Sequence, residues 1–272
     1  MTQPVVWDPG QYQRYAAPRL RPAIELLQHV TVGEPGSVCD LGCGDGQVTW
    51  MMAERWPRAR ILGLDSSADM LAAARRRAAG HPEERARSID WLQADISSWR
   101  PESRFDVVFS NAVLHWVDER HRPLVQRLAS YLRGTGSCLA IQVPMNWDSP
   151  SHRLIGESVR ALSLPQARAT AALEWADRQW VASQQDYYLA LAEVADSVDM
   201  WSTEYLHQLT GDDPVLEWVK GTALRPVLAS LQSDDRERFM DVYRRGLREA
   251  YPALPDGTTL FPFRRLFMVA TV

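Results

Sequence analysis

Lysine is almost missing from this 272-residue chain: Lys220 is the only one among 30 basic residues. Little remains for Schiff-base chemistry, which needs a lysine amine. The positive charge sits on arginine instead, whose planar guanidinium meets carboxylates through paired hydrogen bonds. Cysteine is scarce too. Cys39, Cys43 and Cys138 are an odd set with no histidine or cysteine cluster at metal-ligand spacing, so neither a metal site nor a disulfide framework is expected. They read as small apolar fillers in a reducing cytosol, and the expectation is a cytoplasmic protein without a signal peptide. No apolar run approaches the ~18 residues of a membrane span. The net charge of −4 gives no electrostatic footprint for nucleic acid or an anionic membrane.

What is present is a regular alternation. Val38-Cys39-Asp40-Leu41-Gly42-Cys43-Gly44-Asp45-Gly46 reads as a short apolar strand entering a glycine-rich turn, with a helix starting at Gln47. Further strands are expected over Arg60–Asp65, Ile89–Ala94, Phe105–Ser110 and Ser137–Val143, with helices between them. Ser66 or Ser67 caps the helix that runs to about Ala79, and Arg75-Arg76-Arg77 on it reads as a solvated face. Pro18 and Pro22 interrupt the N-terminal helical pattern, so two short helices are expected, with Pro22 in a first turn. Strand and helix in this rhythm imply right-handed crossovers and a parallel sheet with helices on both faces.

Beyond Pro144 the rhythm changes. Helices are expected over Ser151–Arg160, Ala167–Trp180, Tyr187–Ala195, Pro214–Lys220, Pro226–Leu231 and Asp234–Ala250, with strands at Val198–Leu206 and Leu266–Val272. The expected architecture is α/β: one domain over residues 1–272 with a mostly parallel seven-stranded sheet. Its core spans 31–145 with the strands near 198–206 and 266–272, and helical insertions at about 146–195 and 207–258 form a lid.

Four successive strands end in Asp40, Asp65, Asp95 and Asn111. In a parallel sheet these share one edge and one crevice. Asp65 follows Gly42 at close to the ~20-residue spacing at which a carboxylate takes ribose hydroxyls, and Asp95 is placed to accept from an adenine amino group. The glycines run G-x-G-x-G rather than G-x-G-x-x-G. Asp45 inside the loop would repel a pyrophosphate, which a helix N-terminus otherwise attracts. The pattern suits S-adenosylmethionine, which carries a sulfonium and an ammonium but no phosphate.

Asp40-Leu41-Gly42-Cys43-Gly44, Gly63-Leu64-Asp65-Ser66-Ser67 and Ala94-Asp95-Ile96 resemble the motifs of class I S-adenosylmethionine-dependent methyltransferases. Over nearly the whole chain the resemblance narrows to the bacterial trans-aconitate 2-methyltransferase family. It is carried by Trp7-Asp8-Pro9, Arg21-Pro22-Ala23 with Glu25-Leu26-Leu27, and Asn111-Ala112 with Trp116. Asn146-Trp147, Val198-Asp199-Met200-Trp201, Trp218-Val219, Leu224-Arg225-Pro226, and Arg265-Leu266-Phe267 with Val269-Ala270 complete it.

The resemblance implies a Rossmann-like class I methyltransferase fold and methyl transfer from S-adenosylmethionine to a carboxylate of trans-aconitate. The products are the monomethyl ester and S-adenosylhomocysteine. Asp40, Gly42, Cys43, Gly44, Asp65, Ser66, Met70, Asp95, Ile96 and Asn111 are the expected cofactor residues. A small carboxylic acid needs cations, and Arg225 and Arg265 are the candidates, with Tyr15, His115, Trp116 and Trp147 shaping the walls. No general base is required, because a carboxylic acid with a pKa near ~4 is already an anion. His115 could act as one for a hydroxyl acceptor. Asp45, His115, Met145 and Arg264 depart from the family's usual residues. A malonyl thioester or a natural-product hydroxyl therefore remains an alternative acceptor, and the oligomeric state, monomer or dimer, is open.

Overall fold

A computed structural model describes residues 16–80, 88–117 and 121–272. The expectations placed on Trp7-Asp8-Pro9 and Tyr15 lie outside these residues. The chain opens with α1 (Ala16–Gln28), β1 (Ser37–Leu41), α2 (Gln47–Arg55), β2 (Arg60–Asp65), α3 (Ala68–Ala79), β3 (Ile89–Gln93) and β4 (Val107–Asn111). A 3-10 turn (Leu114–Trp116), α4 (His121–Ala129) and β5 (Cys138–Pro144) follow. Then come α5 (Pro150–Ala161), α6 (Gln166–Ala176), α7 (Gln184–Ala192), β6 (Ser197–Leu209), α8 (Pro214–Lys220), α9 (Leu224–Ser230), α10 (Ser233–Ala250) and β7 (Thr259–Thr271).

The seven strands form one sheet in the order β3-β2-β1-β4-β5-β7-β6. The first five pair in parallel, and β7 runs antiparallel to β5. The chain moves outward from β1 to β3, then returns to lay β4 on the other side of β1. Right-handed crossovers put the helices of the two halves on opposite faces, and the crevice at the reversal, outside the carboxyl ends of β1 and β4, is where such sheets take ligands. Central strands are buried on both faces: Val38, Leu41, Val107, Phe109, Leu139 and Ile141 have no exposed surface.

Three elements differ from the sequence reading. Residues 16–28 form the single helix α1 with Pro22 in its interior, rather than two short helices with Pro22 in a first turn; a proline removes one backbone bond, and Ala23, Leu26 and Leu27 are buried beyond it. The last strand begins at Thr259, seven positions before the expected Leu266, because alternate residues Phe261 and Phe263 continue the buried face. Pro144 extends β5 rather than ending it, opposite Arg265.

The chain gathers into two compact units. The sheet unit holds Ala17–Pro144, Val181–Thr203 and Arg265–Val272; the other centres on Met145–Trp180 and Glu204–Arg264. The second has a core of its own around Trp218, Phe239, Tyr243 and Phe261. Helix α7, expected in the lid, belongs to the sheet unit, where it packs on α4 through Tyr187 against His121 and through Glu193 against Arg122 and Gln126.

Candidate active site

The turn after β1 is built by three glycines in the left-handed region, Gly42 (φ 72°), Gly44 (φ 56°) and Gly46 (φ 75°). Their reasons differ. A Cβ on Gly42 would lie 2.3 Å from Val113 Cγ2, and one on Gly46 would lie 2.5 Å from the Trp91 ring. Gly63 on β2 is likewise pressed by Trp91, at 2.6 Å. At Gly44 a Cβ would meet nothing within 4 Å, so the backbone there borders open space. The N–H groups of Gly42 and Cys43 both donate to the Leu64 carbonyl, at 2.7 and 2.9 Å, tying the turn to β2.

Two carboxylates hold this turn. Asp65 at the end of β2 accepts from Gly44 N through Oδ2 at 2.9 Å and from Ser67 N through Oδ1 at 2.8 Å. It therefore spans the glycine turn and the start of α3, where Ser67 is the cap and accepts from Met70 N. Burial raises the Asp65 pKa, while these backbone donors pull it down. Asp40, 3 % exposed, accepts from Thr49 Oγ1 at 2.6 Å and ties β1 to α2 beneath the turn. Burial pushes its carboxyl up to about 7, the Thr49 hydroxyl opposes the shift, and the charge of Asp65 adds to it.

Asp45 is not the free negative charge the sequence suggested. Arg77 Nη2 pairs with its carboxylate at 2.6 Å, and Arg77 Nε donates to its carbonyl at 3.1 Å. The basic last turn of α3 thus clamps the loop, and Arg77 does not sit on a solvated face. The charge that distinguishes this loop from a phosphate cradle is largely neutralised.

The other expected cofactor residues lie along the same edge, which the parallel register aligns: Leu41 opposite Leu64 and Ser110, Asp65 opposite Gln93. Ser66 is exposed and Met70 buried, as are Cys43 and Ile96. Asp95 is exposed and caps the turn after β3, its Oδ1 accepting from Ser97 N and Oγ at 2.8 and 2.6 Å. Asn111 ends β4 with its buried Oδ1 unbonded. The strand-end carboxylates, the backbone left clear at Gly44 and the orphaned Asn111 Oδ1 at the end of β4 fit a ligand with hydroxyl and ammonium donors.

Of the expected acceptor residues, the sheet unit holds His115, Trp116 and Arg265. His115 is buried in the 3-10 turn with its ring 4.9 Å from that of Trp116. Arg265 on β7 is 6 % exposed, and its Nη1 donates to Gln142 Oε1 at 3.3 Å. Trp147 and Arg225 belong to the second unit. Trp147 stacks on Trp180 at 6.1 Å and meets the His152 ring edge-on at 4.8 Å; Arg225 is half-buried in the first turn of α9.

A family model described as a methyltransferase domain matches residues 38–136, the span from β1 to the turn before β5. The trans-aconitate 2-methyltransferase of Streptomyces avermitilis is 44% identical over 276 residues, covering 97% of this chain and 96% of the relative. That of Azoarcus sp. is 41% identical over 266 residues, covering 97% and 98%. This chain belongs to the trans-aconitate 2-methyltransferase family. The YcgJ protein of Bacillus subtilis, at 12% identity, aligns with a TM-score of 0.59 over 92% of this chain and 98% of its own. The fold is the Rossmann-like class I methyltransferase fold.

Sequence reading of this family member missed Thr49, Val113, Trp91 and Gln142. Thr49 carried a signal, being a polar residue on the face of α2 that also holds Trp50, Met52 and Ala53. Val113 and Trp91 carried none, since what they do is fill space left by distant glycines.

Proposed function

We propose that this chain transfers a methyl group from S-adenosylmethionine to a carboxylate of trans-aconitate, giving the monomethyl ester and S-adenosylhomocysteine. One observation carries the reading: identity of 41–44% to trans-aconitate 2-methyltransferases runs through nearly the whole chain. It is not confined to the nucleoside-binding half that many methyltransferases share.

When bound, S-adenosylmethionine supplies a methyl already activated by its sulfonium. The protein's contribution is positional. Asp65 is the candidate for the ribose hydroxyls and Asp95 for the adenine amine. Gly42, Cys43 and Gly44 border the methionine end, with Asp40 supporting the turn from below. Ser66, Met70 and Ile96 wall the nucleoside, and the orphaned Oδ1 of Asn111 is an acceptor for the ammonium. For the acceptor, Arg265 and Arg225 are the candidate cations, and Tyr15, Trp116 and Trp147 are the candidate walls. The acceptor acid, with a pKa near ~4, is ionised at neutral pH and needs no proton removed. His115 acts as a wall. Alignment of the reacting atoms and exclusion of water carry the rate.

Among the described residues no helix is long and apolar enough to cross a membrane, and no cluster of metal-ligating side chains occurs. Three free, buried cysteines suit a reducing cytoplasm. The deciding experiment is turnover of methyl-labelled S-adenosylmethionine against di- and tricarboxylates, phenols and thioesters. Base-labile label on trans-aconitate is expected. Transfer to a phenol or thioester with none to trans-aconitate overturns the reading.

A further inference from the structure

One buried polar row at the carboxyl-terminal edge of the sheet holds two buried side-chain atoms with no hydrogen-bond partner, Gln142 Nε2 and Asn111 Oδ1. Gln142 on β5 stands in register with Asn111 on β4 and with Phe267 on β7. Residues paired across neighbouring strands share a face, and so does Arg265, two positions from Phe267. Gln142 is fully buried, within a strand whose other residues, Cys138 to Val143, are otherwise apolar. An amide placed there is costly unless its donors and acceptors are met.

Only half of this amide is met. The guanidinium of Arg265 has donors and no acceptor, so the atom it faces at 3.3 Å is the amide oxygen, Oε1. That fixes the orientation of Gln142 and turns Nε2 away from the arginine. Nε2 is buried and has no hydrogen-bond partner. On the adjoining strand Asn111 Oδ1 is buried and unbonded as well. A donor held next to a guanidinium at the ligand edge of the sheet is what a carboxylate would complete, since one of its oxygens can accept from each group.

We propose that Gln142 is a specificity residue for the acceptor: Oε1 positions the Arg265 guanidinium, and Nε2 donates to an oxygen of the same acceptor carboxylate. The inference rests on the carboxylate-acceptor reading above and adds to it a residue and a mode of recognition. A neutral acceptor group would forgo a charge-assisted bond from Nε2, so the pair selects for acids.

The test uses the full chain with S-adenosylhomocysteine bound and propane-1,2,3-tricarboxylate as an inert probe, titrated by calorimetry into wild type, Gln142→Met and Gln142→Glu. Methionine keeps the volume and removes both polar atoms. Glutamate keeps an acceptor for Arg265 but replaces the donor with a negative charge. Both variants are expected to lose affinity for the tricarboxylate by roughly ten- to a hundredfold, as for one hydrogen bond to a charged group. Affinity for S-adenosylhomocysteine and the thermal midpoint of Gln142→Glu should stay near wild type. In turnover with trans-aconitate, Gln142→Glu should raise KM with a much smaller effect on kcat.

Wild-type affinity in Gln142→Glu overturns the proposal, because Gln142 then serves only to hold Arg265. A loss that tracks falling stability and cofactor affinity in both variants also overturns it, as does a wild type that binds no tricarboxylate. If the wild type binds the probe through Gln142 but methylates a different acid, the inference stands and only the trans-aconitate assignment falls.

Discussion

Gly42 and Gly44 share a left-handed backbone yet differ in what surrounds them. Gly42→Ala combines that conformation with a 2.3 Å approach to Val113. It should cost at least about 2 kcal/mol, read as a shift in urea midpoint. Gly44→Ala meets open space and should cost about 1 kcal/mol, while weakening S-adenosylhomocysteine by more than tenfold in calorimetry. Equal affinity in Gly44→Ala would remove the cofactor from that face of the turn. Asp40 gives a pH prediction. Its carboxyl is raised to about 7 in the folded chain, chiefly by burial, against roughly 3.9 when unfolded. Between those values the folded state binds more protons, so this group's contribution to stability is present at acid pH and lost as pH rises toward 7. Asp40→Asn keeps an acceptor for Thr49 and should flatten the stability profile between about pH 4 and 7. An unchanged profile would mean that Asp40 is ionised in the fold.

At the scale of elements, the site depends on contacts joining helices to strands. Glu25 on α1 accepts through Oε1 from Trp201 Nε1 at 2.8 Å and Thr203 Oγ1 at 2.5 Å on β6. The Trp201 ring lies flat on Phe267 of β7 at 4.9 Å. Glu25→Ala strands both donors and should destabilise by about 1–3 kcal/mol, with altered tryptophan fluorescence. The Arg77–Asp45 clamp is partly exposed, so Arg77→Ala should cost under about 1 kcal/mol, and less at high salt. Its larger effect is expected on cofactor affinity, since it secures the glycine turn. These ties were only half legible beforehand. The glycine spacing and the strand-end carboxylates could be read because short-range geometry dictates them. The clamp could not, because an arginine in a run of three carries no mark of which one faces the loop.

Across the whole molecule, two units with separate cores allow separate damage. Phe239 is fully buried in the core of the second unit, and Phe239→Ala should cost about 3–5 kcal/mol there. The expected outcome is lost methyl transfer to trans-aconitate with S-adenosylhomocysteine binding retained in the sheet unit, read by calorimetry on the same sample. Equal loss of both would show that the units fold as one. The chain alone determined the alternation of strand and helix, the strand ends and the cofactor class, because hydrophobic period and turn chemistry act over a few residues. Full-length likeness to the family then pointed to the acceptor. Tertiary structure decided the rest. It moved α7 into the sheet unit, carried β7 back to Thr259, neutralised Asp45 with Arg77, and set Gln142 beside Arg265 across two strands. Each of these depends on which distant residues share one buried face, and local sequence does not encode that.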